Sequence, residues 1–236
     1  MGRLIYQPKG KAREYSPWAC NLYTGCPNRC TYCYNRNGNG AWLLGADKVS
    51  PKSGASVELF TKELLRYKDR IIDDGKGLFF SFVSDPFLME TIDLTLECAK
   101  IAIENGVNVV FLSKEVPESD FFIEYKDMVK VGFTLTGMDR LEPYASSNDC
   151  RVREMEYLES NGVHTWASIE PVIDLNMSME MIRKAHSAGC REFKIGLLSG
   201  RKEYTKTEIK KMVNYVKETY TDCDLLFKES VVSYIQ

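Results

Sequence analysis

Histidine is almost missing: His164 and His186 are the only two in 236 residues, and neither lies near a group of cysteines. A zinc site of the paired cysteine–histidine kind therefore has no support in the spacing. No apolar run approaches the roughly 20 residues of a membrane span, and no charged-then-apolar leader begins the chain. We expect a cytoplasmic protein without a membrane partner. An excess of one charge is also lacking. The formal net charge is −2 and the pI about 5.9, so there is no general attraction to phosphate backbones and nucleic-acid binding would need a local patch. No internal repeat or low-complexity tract is evident.

One such patch exists. Residues 1–36 carry Arg3, Lys9, Lys11, Arg13, Arg29 and Arg36 against Glu14 alone, with Tyr6, Tyr15 and Trp18 between them. Residues 1–18 read as a basic arm on a single domain spanning 1–236, either solvated and wrapped around the domain or in contact with nucleic acid.

Short, β-rich apolar runs recur at 78–83, 107–112, 129–135, 163–169, 193–198 and 224–227, and a first strand is expected near 19–24. Helical periodicity lies between them. Leu88, Ile92, Leu96, Ala99 and Ile103 lead to Gly106, and Val152, Met155 and Leu158 lead to Gly162. Ser178 opens a helix toward Gly189, Thr205 and Glu208 form a capping box, and a further helix fills 57–72. Residues 36–56 contain the longest loop. Alternating strands and helices in one repeating register give an α/β fold, a partial (β/α)6 TIM-type barrel of about six or seven units.

In such a barrel the polar residues that follow each strand converge at one mouth. Here they are the cysteine loop, then Ser84–Asp85–Pro86, Ser113–Lys114–Glu115, Thr134, Thr136 and Asp139, Ser168 and Glu170, Ser199 and Arg201, and Lys228 and Glu229.

Of eight cysteines, only Cys20, Cys26, Cys30 and Cys33 cluster. In a chain with no leader this suggests metal rather than disulfides. A closed zinc site needs four ligands. If Cys20 completed a set with Cys26, Cys30 and Cys33, the chain would be a zinc-stabilised nucleic-acid-binding module. The C-x3-C-x2-C spacing of the last three instead suits a 4Fe-4S cubane, which leaves one iron open to a cosubstrate. The amino and carboxylate groups of S-adenosyl-L-methionine suit that iron. A low-potential electron would then cleave the carbon–sulfur bond. No second C-x2-C pair offers an auxiliary cluster.

With Tyr32 just before the last cysteine, the motif resembles the radical S-adenosylmethionine superfamily. "YSPWACNLYTGCPNRCTYCY", "SFVSDPF", "VVFLSKE", "VGFTLTGMDRLEPYASSNDCRVREMEYLESNGV" and "ASIEPVID" resemble its spore photoproduct lyase-like branch over residues 15–175. The resemblance implies a lyase or transferase that makes a 5′-deoxyadenosyl radical, takes its electron from flavodoxin or ferredoxin, and acts on an unidentified substrate, nucleic acid by analogy. It implies Cys26, Cys30 and Cys33 as cluster ligands and the backbone at Tyr32 against adenine. Ser84, with Asp85 beside it, would contact the cosubstrate, Lys114 would reach its carboxylate, and Thr134 or Thr136 would add a polar contact. Arg153 follows the Glu142–Pro143 pair as an arginine does in that branch. Phe82 stands where the lyase has a hydrogen-donating cysteine, so thymine-dimer repair by that route is not expected. Cys98, Cys150, Cys190 and Cys223 are the remaining thiols; Cys150, after the fourth-strand loop, is the preferred catalytic donor, an inert thiol being the alternative. His164 reads as a structural histidine. Glu170 binds the cosubstrate's ribose or the substrate, or else anchors a loop.

Overall fold

The structure is a computed structural model that describes residues 3–37, 47–200 and 202–236. Its strands are β1 (Ile5–Tyr6), β2 (Ala19–Cys20), β3 (Tyr23–Thr24), β4 (Ser50–Pro51), β5 (Leu78–Phe80), β6 (Val109–Ser113), β7 (Val129–Thr134), β8 (His164–Val172), β9 (Glu192–Leu197) and β10 (Asp224–Phe227). The helices are α1 (Tyr34–Asn37), α2 (Val57–Asp74), α3 (Ile92–Glu104), α4 (Asp120–Glu124), α5 (Asn148–Ser160), α6 (Leu175–Ser187), α7 (Lys206–Thr219) and α8 (Glu229–Ile235). One sheet runs β1-β2-β5-β6-β7-β8-β9-β10, with β3 and β4 forming a separate pair. From β2 to β10 every neighbour in that sheet is parallel, while β1 adds an antiparallel edge. This is the partial (β/α) barrel expected from the alternation of strands and helices.

Local chemistry sets the helix ends. Ser56, in extended backbone, accepts from the Leu59 amide to start α2, and left-handed Gly75 (φ 66°) stops it. The Thr205–Glu208 capping box begins α7. Helix α6 starts earlier than Ser178: Asp174 accepts from the Met177 amide, and a carboxylate at this position also favours the positive helix end. The first strand is likewise interrupted after Cys20, before β3 pairs away from the main sheet. Of the expected 36–56 loop, residues 38–46 lie outside the described residues.

The strand period of two divides the core. Leu78, Phe80, Val109, Phe111, Phe193 and Ile195 face the helices, whereas Ala19, Phe79, Val110 and Trp166 form a smaller cluster on the other face with Tyr6, Tyr15, Phe82 and Leu112. That second cluster plugs the barrel. Gly132 pairs in register with Trp166, and a Cβ there would stand 2.1 Å from the indole. The Lys194 ammonium lies 4.3 Å from the centre of the Trp166 ring. Beneath it the Glu192 carboxylate accepts from Lys130 at 2.9 Å and meets His164 at 3.1 Å.

Burial alone would raise Glu192, but His164, Lys130 and Lys194 hold it well below the usual carboxylate range. A depressed carboxylate adds stability that is present above its unfolded pKa of about 4.3 and is lost as pH falls through the folded value. Glu192→Gln is expected to cost about 1–3 kcal/mol at pH 7. In urea unfolding followed by circular dichroism, the gap from wild type should narrow as pH drops below about 4.

Candidate active site

The cysteine loop leaves β3 through Gly25 (φ 77°) and turns again at Arg29, whose φ of 51° is unusual for a residue with a side chain. Backbone bonds fold it tightly: Cys33 N donates to Cys30 O at 3.1 Å, and Arg36 N to Cys33 O at 3.1 Å. It is tied to the strand ends on both sides. Ser84 Oγ donates to Gly25 O at 2.6 Å, Asn35 Nδ2 to the carbonyls of Phe82 and Val83 at 3.1 Å, and Thr31 N to Leu141 O at 2.9 Å.

The strongest tie runs through Tyr32. Its hydroxyl donates to Glu142 Oε1, which also accepts from Thr136 Oγ1 at 3.1 Å. The other oxygen, Glu142 Oε2, binds Arg151 Nη2 at 2.6 Å, and both side chains of this ion pair are completely shielded from solvent. Arg151 also donates to the carbonyls of Lys114 (2.9 Å), Thr134 (2.7 Å) and Ser146 (2.5 Å). One guanidinium thus joins the ends of β6 and β7 to the loop that carries the thiols. Burial and Glu142 together push the Tyr32 hydroxyl well above its ordinary pKa, so it stays a donor.

Asp85 performs a similar service one strand earlier. Its carboxylate accepts from the Phe87 amide at 3.1 Å, Ser113 Oγ at 2.5 Å and the Lys114 amide at 2.8 Å. With those bonds made, it fixes the β5 and β6 ends. Lys114 keeps its ammonium 5.7 Å from the Tyr32 ring centre. Burial alone would lower it, but Cys30, Glu142 and Asp85 outweigh this and hold the amine above its ordinary value.

These elements enclose a cavity of about 1030 Å³. Its lining includes Cys26, Cys30, Cys33, Ser84, Lys114 and Thr134. Tyr15, Ser168, Glu170 and Lys228 line it as well, with Ser168 beside Thr134 in the β7–β8 register. There the Tyr15 hydroxyl lies 2.9 Å from Ser168 Oγ and donates to Glu170 Oε2. Lys228, only 2% exposed, donates to the same oxygen at 2.7 Å, and Glu14 lies on its other side at 3.3 Å. The β8–β9 register shifts between Ile169 and Val172, as at bulges that re-aim a side chain beside a site. Gly196 makes the room: a Cβ there would meet Glu170 Cδ and Oε1 at 2.7 Å.

Most of the expected strand-end residues meet at this cavity: Ser84, Asp85, Ser113, Lys114, Thr134, Ser168, Glu170, Ser199 and Lys228 all line it. Others do not. Thr136 sits behind the wall on Glu142, and Arg201 is outside the described residues. Arg153 and Cys150 are corrected by helix phase. Helix α5 buries Arg151, Met155 and Leu158, which turns Arg153 out to solvent, 3.2 Å from the Cys150 thiol. Neither lines the cavity. The arginine that turns inward is Arg151, which sits behind the cavity wall on Glu142, four residues before Met155, a phase the Val152–Met155–Leu158 spacing disguised. Tyr15 was read as part of an outer arm, and nothing in the local sequence marks it as a cavity residue.

Cys20 lies in the core of β2, its thiol beside Cys98 and pushed well up by burial. It is not part of the cavity wall, so the four-cysteine zinc set is not assembled. Burial pushes the Cys26 thiol up to about 11 and Cys30 upward as well, so a metal must displace their protons to bind. Among the described residues, Cys26, Cys30 and Cys33 do not gather three donors within 4.8 Å. A single ion needs that convergence, whereas ligands to different irons of a cluster do not. The donor set thus fits a cubane: three loop thiols on a large cavity that Lys114 also lines, with no other cysteine lining it among the described residues.

Comparison with known proteins agrees. The family described as "Radical SAM superfamily" matches residues 20–216. The uncharacterized protein MJ0683 of Methanocaldococcus jannaschii is 24% identical over 183 residues, 70% of this chain and 64% of that protein. A crystal structure of Streptococcus suis SuiB bound to S-adenosylmethionine is similar at a TM-score of 0.59 and 12% identity, over 86% of this chain and 49% of that one. Another structure of SuiB gives 0.53 at 12% identity, over 71% and 42%. The chain thus spans under two thirds of these proteins' lengths, and the SuiB similarity speaks to the fold alone.

Arg151→Met, which leaves Glu142 buried without its partner, is expected to cost about 3–5 kcal/mol of unfolding free energy. In a double-mutant cycle by urea denaturation, Glu142→Gln with Arg151→Met should cost clearly less than the sum of the single changes.

Proposed function

Because this chain belongs to the radical SAM superfamily, whose members are enzymes that use a 4Fe-4S cluster and S-adenosyl-L-methionine, we propose that Cys26, Cys30 and Cys33 hold that cluster. The bound pair supplies reductive cleavage of the sulfonium and a 5′-deoxyadenosyl radical that takes hydrogen from the substrate. The chain's own residues bind, orient and exclude water. Lys114 offers a charge-assisted bond to the cosubstrate's carboxylate, and Ser84 and Thr134 add polar contacts beside it. The backbone at Tyr32 would pack against adenine. Asp85, Thr136 and Arg151 position these groups by fixing the strand ends. The observation that carries this reading is the shared wall of three loop thiols and Lys114 on one cavity.

The part of the cavity around Glu170 suits the substrate. Glu170 Oε2 is held by Tyr15 and Lys228, while Oε1 receives no hydrogen bond from the described residues. We assign Glu170 to a substrate donor group, in preference to the cosubstrate's ribose, because Tyr15 and Lys228 hold its carboxylate in place on the cavity lining. Lys9 and Lys11 stand at the rim of the same cavity, which suits an anionic substrate, nucleic acid included. The reading keeps the chain in the spore photoproduct lyase-like branch, of lyase or transferase type, with flavodoxin or ferredoxin as reductant. Phe82, stacked on Phe79 at 4.3 Å, lines the cavity where that lyase has its donor thiol. Among the described residues no thiol besides those of the loop does so.

Three expectations follow. Anaerobically reconstituted protein should hold about four irons and four sulfides per chain, and the Cys26→Ala, Cys30→Ala and Cys33→Ala variants should each lose them with 5′-deoxyadenosine formation. A zinc-loaded, iron-free protein of undiminished stability would overturn the assignment. Cys150→Ala should leave the yield of 5′-deoxyadenosine, measured by liquid chromatography, within about twofold of wild type, since its thiol is off the cavity wall. If the rim lysines meet a nucleic acid, binding of a single-stranded oligonucleotide should weaken steeply with salt, and a flat salt dependence would exclude that partner.

A further inference from the structure

At the other end of the barrel, remote from the cysteine loop, three donors of different kinds point at one another. His186 is in the last turn of α6, and Asp222 and Cys223 lie in the turn between α7 and β10. His186 Nε2 stands 3.2 Å from both Asp222 oxygens, and Cys223 Sγ is 3.6 Å from Asp222 Oδ1. All three ligand atoms lie within 4.8 Å of one another, and this is the one such trio among the described residues. We propose that His186, Asp222 and Cys223 bind one zinc ion, in a site separate from the iron–sulfur centre.

The spacing fits the ion. Zinc bonds of about 2.0 Å to nitrogen or oxygen and about 2.3 Å to sulfur put tetrahedral donors roughly 3.3–3.7 Å apart. The histidine–aspartate and aspartate–cysteine separations of 3.2 and 3.6 Å are already close to that range. The donor types also fit. Imidazole, carboxylate and thiolate are zinc's usual protein ligands, and thiolate disfavours magnesium and calcium.

Neighbouring groups hold the donors in place. The His186 ring meets the Tyr220 ring edge-on, centroids 5.0 Å apart. Arg191 Nε binds Asp222 Oδ2 at 2.8 Å, which leaves Oδ1 for the metal. Its Nη1 is itself fixed by the His186 and Cys190 carbonyls at 2.8 and 2.9 Å. The Cys223 amide donates to Tyr220 O at 3.2 Å and so sets the turn. Such outer contacts orient metal ligands and keep them in place.

On binding, a zinc–sulfur bond forms, the thiol proton leaves to solvent, and imidazole Nε2 gives its lone pair with the ring proton on Nδ1. One carboxylate and one thiolate balance the double charge of the ion. The fourth position opens outward, since Asp222 is 54% exposed, and takes water. The ion would join the end of α6 to the start of β10.

His186, Asp222 and Arg191 also make sense as a metal-free ion network, but that network has no use for the thiol. Cys223→Ser therefore separates the two. Zinc is titrated calorimetrically into cluster-loaded protein, and the zinc-edge X-ray absorption of the product is recorded. One equivalent should bind, with one sulfur near 2.3 Å and the other ligands near 2.0 Å. Cys223→Ser and His186→Ala should each weaken binding at least about tenfold. The Cys26→Ala/Cys30→Ala/Cys33→Ala variant should bind zinc as wild type does. Undiminished affinity in Cys223→Ser, or zinc uptake that depends on the loop cysteines, would overturn the site without touching the iron–sulfur assignment.

Discussion

A guanidinium and a carboxylate sealed from water, Arg151 and Glu142, form the contact on which the placement of the cysteine loop depends. Burying such a pair is costly unless other donors and acceptors are used as well. Glu142 takes Tyr32 and Thr136, and Arg151 takes the carbonyls of Lys114 and Thr134 at the strand ends and of Ser146 before α5. Because these partners come from the loop and from the ends of β6 and β7, the thiols cannot shift alone. Asp85 repeats the device at the β5 and β6 ends. The cavity wall that would meet a cluster is thus rigid before any ligand arrives.

The part of the cavity around Glu170 has another construction. It is assembled from residues distant in sequence: Tyr15 from the N-terminal segment, Glu170 from β8 and Lys228 before α8. Burial first, and then the Glu170 carboxylate, keep the Tyr15 hydroxyl well above its ordinary pKa. The aromatic plug of Phe79 and Trp166 closes the barrel below. The same cavity thus holds the loop thiols and a hydrogen-bonded carboxylate.

Strands and their polar ends were legible in the sequence because parallel strands buried on both faces are apolar runs, and the chain turns polar where each run meets the mouth. Ser84, Lys114, Thr134 and Glu170 were accordingly found at the cavity. Arg151 was not, because a charged residue on an apolar helix stripe looks like a break in the stripe until its partner Glu142 is seen. Tyr15 was read as an arm residue for a related reason. Lysines and arginines around it mark solvent, yet the segment adds β1 to the sheet edge and brings the tyrosine inward. Ser178 as a helix start failed because Asp174 caps first. His186, Asp222 and Cys223 carry no motif spacing at all, since separate elements bring them together.

The central claim is that one iron of a three-thiolate cluster remains open to the sulfonium cosubstrate. Electron paramagnetic resonance of the reduced, cluster-loaded protein tests it most directly, recorded before and after S-adenosyl-L-methionine is added. The account predicts a single reduced-cluster signal whose g-values move on addition, as expected when an iron gains amino and carboxylate ligands. A cluster signal that does not respond to saturating cosubstrate would contradict it.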